Sequence, residues 1–468
     1  MLFNSLAFAI FFPIVTIGYF LLNVRWRWSW LLVASCVFYM YFRPVYILIL
    51  FFTIAVDYVA GILIERNTNQ RRKKLLLVMS IIANVGVLVL FKYYNFFNAN
   101  LSFLLAFTGT DFHMPVLEML LPVGLSFHTF QAMSYTIEIY KGRQKAERHL
   151  GIYALYVMFY PQLVAGPIER PQNLLHQFRE NYSFDYDRVS AGLRRILWGL
   201  FKKMVIADRL SVYVDAVYQN PEHFSGWPLI WATLLFSIQI YCDFSGYCDI
   251  AIGSANVMGF KLMENFSYPY FSASFREFWT RWHITLSGWF RDYVYIPLGG
   301  NRLGIATFMF NILVAFSLSG LWHGASWTFV IWGVLHGIYV ILERLLHREK
   351  TRHKPFRILL TFIGVTFAWI FFRASGFGDA MYIITHLFKF QSGLIGVPQI
   401  SGLSFVINFV LVGLLIGIEA ADFTGKKRIV MNFFPSQRVY RYTVNVLLLT
   451  AILLLGVFEE QTFIYFQF

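Results

Sequence analysis

The sequence predicts an all-α integral membrane protein with roughly 10–12 transmembrane helices and re-entrant segments between them. Three observations carry this. Hydrophobic residues make up 58% of the 468-residue chain and charged residues only 14%, against about 25% charged in soluble domains. Several apolar runs reach the roughly 20 residues needed to cross hydrocarbon. Short basic segments separate those runs, which is the positive-inside pattern.

The runs expected to span are 4–22, 28–43, 45–64, 75–91, 119–140, 227–241, 305–322, 326–346, 358–372, 402–420 and 443–458. The first, from Leu2 to Leu22, has neither a basic leader nor a small-residue cleavage site, so it reads as a spanning helix rather than a signal peptide. Basic loops fall at Arg25 and Arg27, Glu65 to Lys74, Lys141 to His149, His347 to Arg357 and Lys426 to Arg441. The stretch Arg188 to Arg209, with Lys202 and Lys203, reads as an amphipathic helix at the inner surface. The run 151–165 is too short to cross and leads into Gly166 and Pro167, so it reads as a re-entrant half-helix. The aromatic stretch Lys261 to Gly304 is expected to fold partly into the membrane and line a cavity. Alternation of the runs puts both termini outside. No long linker or repeat divides the chain, so residues 1–468 read as a single domain.

Net charge is +14. With the basic residues in loops between apolar runs, this points to membrane topology and not to nucleic acid; it would also attract an anionic donor. The cysteines, Cys36, Cys242 and Cys248, match neither a disulfide framework nor a zinc site, and no metal is expected.

Four segments carry candidate chemistry. In Ser319 to Trp327 one imidazole, His323, sits between two apolar runs, next to Trp322 and Gly324. An ionisable group at such depth is a functional candidate, although it could equally bond a neighbouring helix. Burial disfavours the charged form of an imidazole, and a neutral ring is what a general base requires. Ser326, close behind, reads first as a packing residue and second as a nucleophile or orienter. In the segment Arg276 to Tyr293, the residues Arg276, Trp279 and His283 fall on one face if a single helix runs through them, with Arg281 and Trp282 beside them. That face would line a polar cavity or anchor an interfacial helix. In Gln239 to Asp249, Asp243 and Asp249 flank Ser245; the carboxylates need partners, and Arg276, Arg281 or Arg291 could supply them. Around Gly166, Pro167 and Glu169 the helix must break, freeing backbone for a ligand or simply redirecting the chain. Asp57, His128 and Glu138 read as helix-contact residues.

Together these motifs resemble the membrane-bound O-acyltransferase (MBOAT) family, in its bacterial branch of alginate and peptidoglycan O-acetyltransferases. The resemblance runs through Met1 to Ser5, Leu121 to Phe127, Gly166 to Ile168, Tyr241 to Tyr247, Phe278 to His283 and Leu321 to Gly324. It implies a ring of helices around a central tunnel, with His323 as the catalytic histidine and His283 in the family's second polar position. It also implies acetyl transfer from a cytoplasmic donor, acetyl-CoA, to an exopolysaccharide or cell-wall acceptor outside, through a hydrolase-like (SGNH) partner or to the polymer itself. No tightly bound cofactor is implied, and the location is the bacterial inner membrane. D-alanyl transfer to teichoic acid is the nearest alternative. A secondary transporter or flippase, which would also use broken helices and buried ionisable groups, is the alternative of another class.

Overall fold

The computed structural model describes residues 1–109, 114–117, 122–346, 354–397, 400–425, 438–458 and 463–464. Within them every regular element is helical. Seven helical segments are long and apolar enough to cross a membrane: Pro44–Arg66, Gln70–Ala106, Trp227–Met258, Ile305–His323, Trp327–Leu345, Lys354–Arg373 and Gly402–Thr424. The outward faces carry Ile10, Phe310, Leu403 and Val410, each more than half exposed, as side chains that contact lipid must be. The chain is thus an all-helical, multi-pass membrane protein. Residues 119–121, 347–353 and 426–437, parts of an expected span and of two expected basic loops, lie outside the described residues.

The described chain forms two compact units. The first comprises Met1–Ile196 and Ile250–Met263. It opens with α1 (Leu6–Leu21), capped by the Ser5 side chain, and α2 (Val24–Met40). Next come α3 (Ile47–Arg66) and α4 (Gln70–Leu88), which runs through a π-turn into α5 (Tyr94–Ala106). Asn69 caps α4 by accepting from Arg71 and Arg72. α6 (Leu125–Tyr140) is buried almost throughout despite seven polar residues, of which Thr129, Gln131 and Ser134 donate to backbone carbonyls. Asp57 on α3 bonds Ser80 and Asn84 on α4, at 2.5 and 2.9 Å. α6 starts at Gly124 (φ +74°), where a Cβ would stand 2.7 Å from the Leu163 carbonyl. The run read as re-entrant forms α7 (Leu150–Met158) and α8 (Tyr160–Leu163), broken at Phe159 and buried from Ile152 to Leu163. The short α9 (Pro171–Leu174) and α10 (Tyr186–Leu200) follow.

The second unit comprises Leu197–Asp249 and Glu264–Phe468. It begins with a π-helical turn, Phe201–Ala207, which leads into α11 (Asp208–Tyr218). The amphipathic surface helix expected over 188–209 forms only as far as α10: beyond it Lys202 and Lys203 are buried, 3% and 4% exposed. α12 (Trp227–Met258) is far longer than the expected span 227–241, because Asp243 and Asp249 find partners inside the protein and do not end the helix. Beyond it lie α13 (Phe275–Arg281), α14 (Ile284–Phe290), α15 (Ile305–His323) and α16 (Trp327–Leu345). α17 (Lys354–Arg373), α18 (Phe377–His386), α19 (Gly402–Thr424) and α20 (Arg438–Leu455) complete it.

Helices α15 and α16 approach to backbone contact. A Cβ on Gly333 would lie 2.2 Å from the Phe316 carbonyl oxygen, and one on Gly320 2.2 Å from that of Phe329. Small residues in a membrane interface let helices pack this closely. The small residues around His323 therefore serve backbone packing.

Candidate active site

His323 is the last residue of α15, at the break before α16. Its ring is 3% exposed and stands edge-to-face against Trp322, Trp332 and Phe372, with centroids at 4.9, 5.0 and 5.3 Å. His283 lies 6.4 Å away, centroid to centroid, and is fully buried. The two imidazoles singled out from sequence are therefore neighbours although forty positions apart.

His283 reaches this place by a route the helical spacing did not predict. α13 ends at Arg281, Trp282 is extended, and His283 has φ +43° and ψ +54°. Left-handed backbone at a non-glycine residue is uncommon and is held only by surrounding contacts. Asn265 supplies them. Its backbone carbonyl accepts from the Ile284 N–H at 3.0 Å. Its Oδ1 accepts from the Thr285 N–H at 3.2 Å and the Thr285 hydroxyl at 3.0 Å, which fixes which end of the amide is oxygen. His283 Nδ1 stands 3.1 Å from the same oxygen. Nδ1 must therefore donate, and Nε2 carries the lone pair. Burial pushes His283 down to about 3, so the ring is neutral at pH 7. Phe244 of α12 packs against it edge-on at 4.7 Å.

The other candidates divide. Trp322 lies beside both imidazoles, 6.0 Å from His283. Trp279 and Trp282 are one layer away: Trp279 packs on Trp332 at 5.7 Å and Trp282 on Trp369 at 5.1 Å. Arg276 is exposed, with its backbone N–H donating to Glu343, so no single face joins it to His283. Arg281 pairs with Glu277 and donates to the Ser267 carbonyl. Ser326 is the N-cap of α16, accepting from Thr328, in keeping with the packing role.

Asp243 and Asp249 meet lysines where arginines were expected. Arg281 and Arg291 are taken by Glu277 and Asp292. Lys203 meets Asp243 at 2.6 Å and Asp208 at 2.8 Å, and Lys202 meets Asp249 at 2.7 Å and the Ser245 hydroxyl at 2.8 Å. A π-turn makes this possible, since two consecutive lysines both face inward. Gly246 lets α12 come close, as its Cβ would stand 2.8 Å from the Gly199 carbonyl. These residues form an ion network that holds α12.

Gly166, Pro167 and Glu169 belong to the first unit. A Gly166 Cβ would lie 2.3 Å from the Gln162 Cα, so the turn requires glycine. Glu169 is fully buried and accepts from the Met263 N–H at 2.6 Å and from Asn173 at 2.5 Å. Burial pushes its carboxyl up to about 7.

Sequence reasoning missed Asn265 and His336. Asn265 carries no signal of its own, whereas His336 stands out as a lone imidazole in the apolar run of α16. Trp332 packs against both it and His323.

Residues 144–378 match the profile of MBOAT, the membrane-bound O-acyltransferase family. A probable alginate O-acetylase of Pseudomonas putida is 34% identical, covering all of both chains. The peptidoglycan O-acetyltransferase of Helicobacter pylori is 35% identical over 86% of this chain and 81% of its own. The teichoic acid D-alanyltransferase of Bacillus subtilis is 26% identical over 57% of this chain and 72% of its own. This acyltransferase fingerprint sets aside the transporter reading and spans both imidazoles: the chain belongs to the membrane-bound O-acyltransferase family.

Proposed function

We propose that the protein is an O-acetyltransferase of the bacterial inner membrane that passes an acetyl group from cytoplasmic acetyl-CoA to an acceptor outside. The acceptor is an exopolysaccharide or cell-wall hydroxyl, reached directly or through an SGNH-hydrolase-like partner. The observation that carries this is the buried pair of imidazoles, 6.4 Å between centroids, with His283 Nδ1 committed to Asn265. His323 is the general base. It takes the proton as the acceptor oxygen attacks the thioester carbonyl; the C–O bond forms, the C–S bond breaks, and the proton passes to the leaving thiolate. His283 offers a lone pair at Nε2 and not a donor. It therefore orients the incoming hydroxyl by accepting its hydrogen bond, and does not stabilise an oxyanion. Relatives named for acetyl transfer, at 34–35% identity over 86–100% of this chain, support acetyl over D-alanyl as the group moved.

The test uses membrane vesicles with labelled acetyl-CoA inside and acceptor outside. His323→Ala is expected to abolish transfer while the protein stays in the membrane; full activity in that variant would refute the base assignment. Running D-alanyl carrier protein in parallel separates the two acyl groups.

A further inference from the structure

Asp57 stands midway along α3, inside the apolar span Pro44–Arg66, and is fully buried. Its hydrogen-bond partners among the described residues are two uncharged side chains of α4, Ser80 and Asn84. Tyr153 of α7, a titratable neighbour, is buried too and brings no positive charge. A carboxylate without a counter-charge in hydrocarbon is so costly that it takes up a proton or a cation instead.

The hydrogens available decide between the two. Four oxygens follow one another from α3 across α4 to α6. Asp57 Oδ1 lies 2.5 Å from Ser80 Oγ, which lies 3.2 Å from Thr136 Oγ1, which lies 3.2 Å from the Met133 carbonyl oxygen. Three contacts between oxygens need three hydrogens, and the two hydroxyls supply one each. With Asp57 ionised, one contact joins bare oxygens whichever way the hydroxyls turn. A carboxylic acid supplies the missing hydrogen: Asp57 donates to Ser80, Ser80 to Thr136, and Thr136 to the carbonyl. Oδ2 still accepts from Asn84 Nδ2 at 2.9 Å.

A metal cation suits this place less well. The Asn84 amide nitrogen lies 3.0 and 2.9 Å from the two carboxyl oxygens and 3.0 Å from the Ser80 carbonyl. Acceptors around it require a donor there, so the amide cannot turn its oxygen toward an ion, which would need oxygen ligands. We propose that the first unit binds a proton at Asp57, which keeps the carboxyl neutral and links α3 to α4 and, through Ser80 and Thr136, to α6. Removing that proton would leave a charge in the span and one contact of the chain without a hydrogen, so the three helices are tied together only while it is in place. None of this depends on which group the protein transfers.

The experiment uses the full chain in lipid nanodiscs at neutral pH, read by infrared spectroscopy. The wild-type protein is expected to show the C=O stretch of a protonated carboxyl that is absent from Asp57→Asn. Ser80→Ala keeps the acid but removes its acceptor, so the band should move to higher frequency and not vanish; Thr136→Val, one link further on, should move it less. Melting temperatures are measured alongside in sodium chloride and in choline chloride. Asp57→Asn, whose amide can donate to Ser80 in the proton's place, should melt within a few degrees of wild type, and the choice of cation should make no difference. Loss of carboxylate bands alone in Asp57→Asn overturns the proposal. So does a melting temperature that sodium raises in the wild-type protein and not in Asp57→Asn, since a metal ion would then hold the site. If Asp57→Asn does not accumulate, Ser80→Ala decides: a band that stays where it is refutes the donated proton.

Discussion

Replacing Asn265 by leucine tests whether the tautomer of His283 matters. Oδ1 of Asn265 receives three donors: His283 Nδ1, the Thr285 N–H and the Thr285 hydroxyl. In Asn265→Leu the hydroxyl can rotate to a nearby carbonyl and the imidazole can move its proton to Nε2, but the Thr285 N–H loses the acceptor it has in Asn265. One orphaned donor plus the lost bonds gives a destabilisation of about 2–4 kcal/mol. The effect on turnover is separate and larger. With the proton on Nε2, His283 can no longer accept from a hydroxyl, and transfer should fall about 10²-fold or more, the range of positioned acid–base help. Asn265→Asp keeps the acceptor and hence the tautomer, and should stay within about tenfold of wild type. The assay is single-turnover acetyl transfer in vesicles, with thermal unfolding in detergent measured alongside. Wild-type transfer by a folded Asn265→Leu protein would refute the role of Nε2 as acceptor.

Three further outcomes follow from the structure. Lys203→Met leaves Asp208 and Asp243 buried without their cation and should cost about 3–5 kcal/mol in detergent unfolding, part of it recovered when Asp243→Asn is added. Glu169 has its folded pKa raised to about 7 by burial. The stability this gives is fully present below the unfolded carboxyl value near 4.5 and is lost as pH rises through 7. A loss of about 3 kcal/mol across that window should flatten in Glu169→Gln, as read from melting temperature against pH. Gly333→Val drives side-chain atoms into the Phe316 carbonyl, and either the α15–α16 pair separates or the protein fails to accumulate. A costs-nothing result, with unchanged melting temperature, would mean that the interface is softer than the 2.2 Å approach of an added Cβ implies.

Much of this was legible in the sequence because lipid is a strict solvent. Apolar runs, basic loops and a lone imidazole between two runs each have a direct physical reading: Asp57 bonds across helices, the 151–165 segment breaks, and His323 is buried at the end of α15. What was hidden depends on backbone details with no local signal. No glycine or proline marks the break at Trp282, and the left-handed turn at His283 is imposed by Asn265, eighteen residues earlier. The π-turn at Phe201–Ala207 changes which residues share a face, so lysines read as a solvated stripe became the buried partners of Asp243 and Asp249. The expected span 227–241 stops short of Asp243 and Asp249, whose partners Lys203 and Lys202 let α12 run on to Met258.

The rings packed on His323 are aromatic, and this bears on how transfer proceeds. Lys202, Lys203 and Arg281 are each bound to carboxylates, while the rings that touch His323 are Trp322, Trp332 and Phe372. On the proposed mechanism, neutral reactants meet a neutral base and generate two charges at once, an imidazolium and an oxyanion. In a poorly polarisable site, separated opposite charges are costly, while a pair a few ångströms apart attracts strongly. The aromatic walls therefore favour a route in which hydroxyl, thioester carbonyl and His323 are all in contact when the proton moves. A fixed cation beside the ring would oppose formation of the imidazolium, and a fixed carboxylate would hold the proton after it should have left for the thiolate. The three aromatic rings against His323 are neither, and on the proposed mechanism His283 has the remaining task of holding the hydroxyl without competing for its charge.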